Sequence, residues 1–157
     1  MDELIKLIAK YLIIVPVLIN LYIFWKLNKA DRKRMALIAL AGGLLSLILA
    51  KIGGHFYNDV RPQFRDGSTP LFGHSNDNGF PSDHTLLASF LGFLALGYSR
   101  KLGAAVLVCA VLIGWARVAA HVHHLNDIVG SFVITAIAYL AAKFLVDKLY
   151  GSRSKSE

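Results

Sequence analysis

Five apolar runs constrain this chain more than any other feature. They cover about Leu4–Leu27, Met35–Tyr57, Ser82–Tyr98, Leu102–Ala120 and Leu125–Val146. A helix that crosses the hydrocarbon core of a bilayer needs roughly 17–25 mostly apolar residues, and these runs approach or exceed that length. The third is the shortest and lacks a clean apolar start, so its outer end is expected inside protein or at the interface. Hydrophobic residues make up 55% of the 157, yet the formal charge is +7. A soluble domain mixes apolar and charged residues more evenly. The expected fold is therefore all-α and membrane-integral: a bundle of five transmembrane helices forming one domain over residues 1–157.

Details within the runs agree. Pro16 interrupts the first, which membranes tolerate when neighbouring groups satisfy the freed carbonyl. Gly42, Gly43, Gly53, Gly92, Gly103 and Gly114 lie where close helix packing in lipid needs small residues. The start, Met1-Asp2-Glu3, is acidic, and the run behind it is too long for a signal core, so a retained span is expected. The single cysteine, Cys109, lies in an apolar run; it cannot form an internal disulfide and reads as a small buried hydrophobe.

The charges give a topology. Lys29, Arg32, Lys33 and Arg34 fill one short connection, Arg100-Lys101 another, and Lys143, Lys148, Arg153 and Lys155 the far end. Basic residues flanking spans mark the cytoplasmic side, which explains this pattern better than a nucleic-acid footprint does. With five spans, the N-terminus, the loop Asn58–Pro81 and the connection His121–Asn126 fall together on the other side. The expectation is a multi-pass protein of the inner or plasma membrane with an extracytoplasmic N-terminus and a cytoplasmic C-terminus. The loop Asn58–Pro81 is rich in Gly, Asn, Asp, Ser and Pro, and its length marks it as a functional segment.

Three polar clusters stand at the extracytoplasmic ends of the spans. Arg61-Pro62 follows Lys51 and His55 at the end of the second. Pro81-Ser82-Asp83-His84 opens the third. Arg117, His123 and Asp127 span the fourth and fifth. Ionisable groups at membrane depth are costly and functional by default. Phosphate-ester cleavage needs fixed donors around the equatorial oxygens, and the forks of Arg61 and Arg117 suit that geometry. Pro81 fits at or near the first turn of a helix, whose free N–H groups favour anions, and Ser82 adds a hydroxyl. His123 and Asp127 share a face at i, i+4 if the last helix begins early enough. The carboxylate then holds one ring nitrogen and leaves the other free to attack. His84, on another helix end, can protonate a leaving oxygen. A metal reading competes, because His55, His74, His84, His121, His123 and His124 are all on this side. Against it, Arg61 and Arg117 would set positive charge beside a cation. His121 and His124 read as neighbours on other helix faces, and no metal or other cofactor is expected.

Pro81-Ser82-Asp83-His84 resembles the second motif of the type 2 phosphatidic acid phosphatase superfamily. Ala116-Arg117, five residues, His123, three residues and Asp127 resemble its third, and Arg61-Pro62 the end of its first. The string Asp77-Asn78-Gly79-Phe80-Pro81-Ser82-Asp83-His84-Thr85 is similar to the undecaprenyl-diphosphate phosphatase branch. The resemblance implies a helical core of the acid phosphatase–haloperoxidase type and a phosphohistidine on His123, with Asp127 orienting it and His84 as acid. It further implies that Arg61, Ser82 and Arg117 hold the phosphate without metal. The implied role is recycling of a lipid carrier for cell-wall synthesis, with a polyisoprenoid or phospholipid phosphate and membrane lipids as partners and no nucleic acid. Alternatives are a phosphatase for phosphatidylglycerol phosphate or phosphatidate, a phosphate transferase, or a non-enzymatic lipid-phosphate binder or transporter. Two positions depart from the family pattern. Ala116 replaces a serine. Gly54 stands where the first motif has a lysine, with Lys51 one turn from His55 as the expected substitute.

Overall fold

A computed structural model describes residues 1–73 and 76–153, with side chains to residue 150. His74 therefore lies outside the described residues. The helices are α1 (Asp2–Tyr11), α2 (Ile14–Lys26), α3 (Lys29–Phe56), α4 (Pro62–Arg65), α5 (Asp83–Leu96), α6 (Arg100–Ala119) and α7 (Leu125–Arg153).

Helix starts follow local chemistry. Asn28 caps α3 by accepting from Asp31 N at 2.9 Å, and Ser99 caps α6 by accepting from Leu102 N at 3.4 Å. The first run breaks at Leu12–Ile13, four residues before Pro16, rather than at the proline itself. The proline ring collides with the carbonyl four residues back, here that of Leu12, and the turn opens there. Asn20 then donates to Pro16 O at 2.9 Å and to Leu91 O at 3.2 Å, tying α2 to α5.

Among the described residues, four helical stretches are long and apolar enough to cross a membrane: Asp2–Lys26 (α1 and α2 together), Lys29–Phe56, Arg100–Ala119 and Leu125–Tyr150. The third run differs from expectation. Its helix, α5, has only 14 residues, and it packs against α2, α3, α6 and α7. The observed bundle is thus four long stretches around a short inner helix. Apolar residues on most of its faces suit such a helix, because most of them meet protein, with Leu87 left exposed. The glycines let it do so. A Cβ on Gly42 would press on the Phe90 ring at 2.8 Å, and one on Gly92 would meet the Leu107 side chain.

A ladder of fully buried hydroxyls joins α5 to α7. Ser89 Oγ and Thr135 Oγ1 lie 2.9 Å apart. Thr135 donates to Ser131 O at 2.8 Å, and the Ser131 hydroxyl sits between Asp127 O (2.7 Å) and Ser82 O (3.1 Å). Interhelical hydrogen bonds in membranes average about 0.6 kcal/mol. The ladder therefore registers the two helices more than it stabilises them, and its top rung joins two of the polar clusters.

Candidate active site

All three clusters converge at one end of the bundle. His123 lies in the connection between α6 and α7, and Asp127 in the first turn of α7. The i, i+4 pair therefore forms although the helix begins only at Leu125. His123 Nδ1 is 3.1 Å from Asp127 Oδ2, and the same oxygen accepts from His124 N at 2.9 Å. A third-position carboxylate reaching back to the cap N–H is one arm of a capping box. Capping thus fixes the carboxylate that in turn fixes the imidazole.

The other ring nitrogen faces two cations. His123 Nε2 lies 3.2 Å from Arg61 Nη1 and 3.2 Å from Arg117 Nη2. A guanidinium can only donate, so Nε2 is the acceptor and Nδ1–H donates to Asp127. The tautomer with a lone pair at Nε2 follows from the surroundings. His123 and both arginines are at most 5% exposed. Burial, and then the positive charges of Arg117 and Arg61, hold the His123 pKa below its ordinary value, although Asp127 opposes the shift. The imidazole is therefore neutral at neutral pH and able to attack.

Arg61 is the N-cap of α4, with Pro62 behind it at the first helical position. Its Nε donates to Asp77 Oδ1 at 2.7 Å and its Nη1 to Val122 O at 2.9 Å. Asn78 uses its whole side-chain amide to set the loop. Its oxygen accepts from Asp59 N (3.0 Å) and Phe80 N (2.9 Å), and its nitrogen donates to Gly54 O (2.8 Å) and Tyr57 O (3.1 Å). Ser82 is the fully buried N-cap of α5 and accepts from Thr85 Oγ1 at 3.2 Å. Pro81 stands one residue before that cap, next to the first turn rather than within it. Half-buried His84 lines a small cavity with Ile13, Asp83 and Leu87, and exposed Asp83 also borders an apolar seam beside α3.

Two expected residues are not brought in. Lys51 and His55 are exposed on α3; among the described residues Lys51 makes no hydrogen bond or ion pair, and His55 only an edge contact with Phe56. A side chain at Gly54 would be tight, since a Cβ would stand 3.0 Å from Phe80 O and 3.3 Å from Asn78 Nδ2. The reading of His121 and His124 on other helix faces also changes. His121 is exposed in a turn with φ 56°, and His124 precedes α7 with Nδ1 3.1 Å from Asp59 Oδ1. Asp59, His124 and Asp127 bring their ligand-type atoms within 4.8 Å of one another, a grouping the sequence reading did not anticipate. Asp77, Asn78 and Ser131 also had no assigned part. The Asn-Gly pair signals a turn, but nothing in the sequence points to the Val122 carbonyl as a partner for Arg61.

Comparison with known proteins gives the family and the fold. Residues 33–150 match the model of the PAP2 superfamily. The chain is 27% identical to the bacitracin transport permease protein BcrC of Bacillus licheniformis over 95% of this chain and 73% of that one. It is 28% identical to undecaprenyl-diphosphatase BcrC of Bacillus subtilis, over 87% and 70%. In fold it is similar to the crystal structure of a transmembrane PAP2-type phosphatidylglycerolphosphate phosphatase from Bacillus subtilis, with a TM-score of 0.63, 23% identity and coverage of 94% and 77%. The chain belongs to the PAP2 superfamily. It is a multi-pass membrane hydrolase of the lipid phosphatase kind.

Proposed function

We propose that the protein hydrolyses a long polyisoprenoid diphosphate, most simply undecaprenyl diphosphate, to the monophosphate and inorganic phosphate. The observation that carries this reading is His123, with Nδ1 held by Asp127 and Nε2 bracketed by two arginines. In the first step Nε2 attacks the terminal phosphorus while Arg61, Arg117 and the Ser82 hydroxyl hold the equatorial oxygens. The bridging P–O bond breaks, and His84 gives its proton to the leaving lipid monophosphate. Water, deprotonated by His84, then attacks the phosphohistidine; the P–N bond breaks and phosphate leaves.

The residues beside His84 support a lipid substrate. The cavity of Ile13, Asp83, His84 and Leu87 shares Asp83 and Leu87 with an apolar seam lined by Gly43, Ser46, Leu47, Leu86 and Phe90. A tail lying in that seam would present its headgroup to His84. The basic flanks place this end of the bundle outside the cytoplasm in this reading. The charge balance supports catalysis without metal, because two arginines already supply the positive charge a phosphate needs.

The test is phosphate release from a substrate panel (a polyprenyl diphosphate, its monophosphate, phosphatidate and phosphatidylglycerol phosphate) with and without EDTA. Turnover should be fastest on the polyprenyl diphosphate and unchanged by EDTA, with an acid-labile phosphoenzyme trapped on brief mixing. Lipid binding without turnover would instead favour the transport reading, to which the name of the Bacillus licheniformis relative points.

A further inference from the structure

The cations at the active-site end of the bundle differ in what holds them. Arg61 is held by Asp77. Lys6 is 2.7 Å from Glu3, and Arg65 is 3.7 Å from Asp59. Lys10 has no carboxylate partner among the described residues. Its Nζ instead stands 4.6 Å from the centroid of the Phe72 ring, and Arg117 Cζ stands 5.5 Å from the same ring. An ammonium resting on an aromatic face keeps its N–H donors available to an anion.

Packing places Lys10 there. Helix α1 docks on the end of α6 through Ile5 and fully buried Ala9, against Ala116, Ala120 and Val122, with Phe72 packed on the same cluster. Burial of Ala9 sets the rotation of α1, so the next residue emerges at the rim. The bend after Tyr11 then brings Ile13 into the wall of the His84 cavity. Lys10 thus lies three residues before Ile13 of that wall, and its ammonium and the Arg117 guanidinium stand 4.6 and 5.5 Å from the centroid of the same Phe72 ring. It also lies outside the matched residues 33–150.

We propose that Lys10 is a specificity-determining residue that binds the inner phosphate of a diphosphate substrate. This rests on the hydrolase reading above. When the terminal phosphoryl group is on His123, Arg61 and Arg117, the leaving group of a diphosphate is itself a phosphate, and negative charge develops on it as the bridging bond breaks. The leaving group of a monophosphate is an alcohol, with nothing for Lys10 to hold. The long flexible stem of lysine lets the ammonium swing from the ring to that phosphate. Lys10 and Lys51 are both exposed, but among the described residues only Lys10 rests on the ring that Arg117 also approaches.

The test compares Lys10→Met with wild type on a polyprenyl diphosphate and on the monophosphate of the same tail, in detergent or lipid discs. Lys10→Met should lower kcat/KM for the diphosphate at least about 10-fold more than for the monophosphate, and Lys10→Arg should restore most of the difference. A parallel fall on both substrates, or no change on either, would overturn the assignment. Lys6→Met, which removes a neighbouring paired cation, should leave the ratio unmoved; an equal shift there would make the effect one of general charge. Failure of the wild type to release phosphate from either lipid would reject the hydrolase reading itself, and is distinct from failure of the ratio.

Discussion

The two ends of the bundle hold their charges in opposite ways. At the end away from the site, Arg34 of α3 and Lys143 of α7 both converge on Asp147, Lys143 Nζ at 2.6 Å and Arg34 Nε at 2.8 Å. These groups are partly exposed, and each cation faces the shared anion. At the active-site end, two buried arginines face the same imidazole nitrogen, with Asp127 on the far side of the ring and Asp77 behind Arg61. Like charges this close in a buried place are unfavourable until an anion arrives. At one end two cations share a carboxylate, and at the other two cations share one imidazole nitrogen. The hydroxyl ladder and the Asn78 hydrogen bonds hold the backbone around these charges.

This contrast can be broken at several points. The largest effect is expected for His123→Ala, which should lower kcat by at least about 10⁴-fold, read as phosphate release, because the proposed nucleophile is removed. Residual turnover near wild type would mean that the buried cations serve something other than attack by this ring. A smaller effect concerns pH. In the proposed mechanism His123 must be neutral, and a lowered pKa keeps it neutral to lower pH, so activity is lost only as pH falls through that lowered value. The acid limb of kcat/KM should therefore lie below pH 6.5, the ordinary histidine value. A limb above it would show that Asp127 outweighs burial and the two arginines. The smallest effect is expected at the other end. Asp147→Asn should cost about 1 kcal/mol or less, seen as a small drop in Tm, with kcat/KM unchanged. A large loss of activity there would show that the two ends are not independent.

Particular residues show how far the sequence could be read. The apolar runs are long and separated, so α3, α6 and α7 are legible as elements. Helix α6 matches within two residues at each end, while α3 starts earlier and α7 ends later because charged residues continue both helices past the apolar run. The first run is legible as a span, but the place of its break is not, because the proline acts on a carbonyl a turn away. The third run looks like a span cut short. Its 14-residue helix makes sense only once α2, α3, α6 and α7 are seen around it. Arg61, Ser82, His84, Arg117, His123 and Asp127 are expected together because phosphate chemistry restricts residue types and their order, and the fold brings their clusters to one end of the bundle. Lys51 was misplaced because helical spacing tells which residues share a face and not what fills the space beside that face.

The sequence by itself determined that this is a membrane helical bundle with its polar clusters at one end. Apolar length and basic flanks are properties of the chain in a bilayer, and they need no knowledge of packing. Tertiary structure alone decided which nitrogen of His123 is free, since that depends on Val122 O, Asp77 and two arginines brought together from distant parts of the chain. It also decided that Phe80 and Asn78 crowd the space at Gly54, and that Lys10 of a helix outside the matched region shares an aromatic ring with Arg117. Contacts of that kind arise only when separate helices are brought into register, and no periodicity within one helix records them.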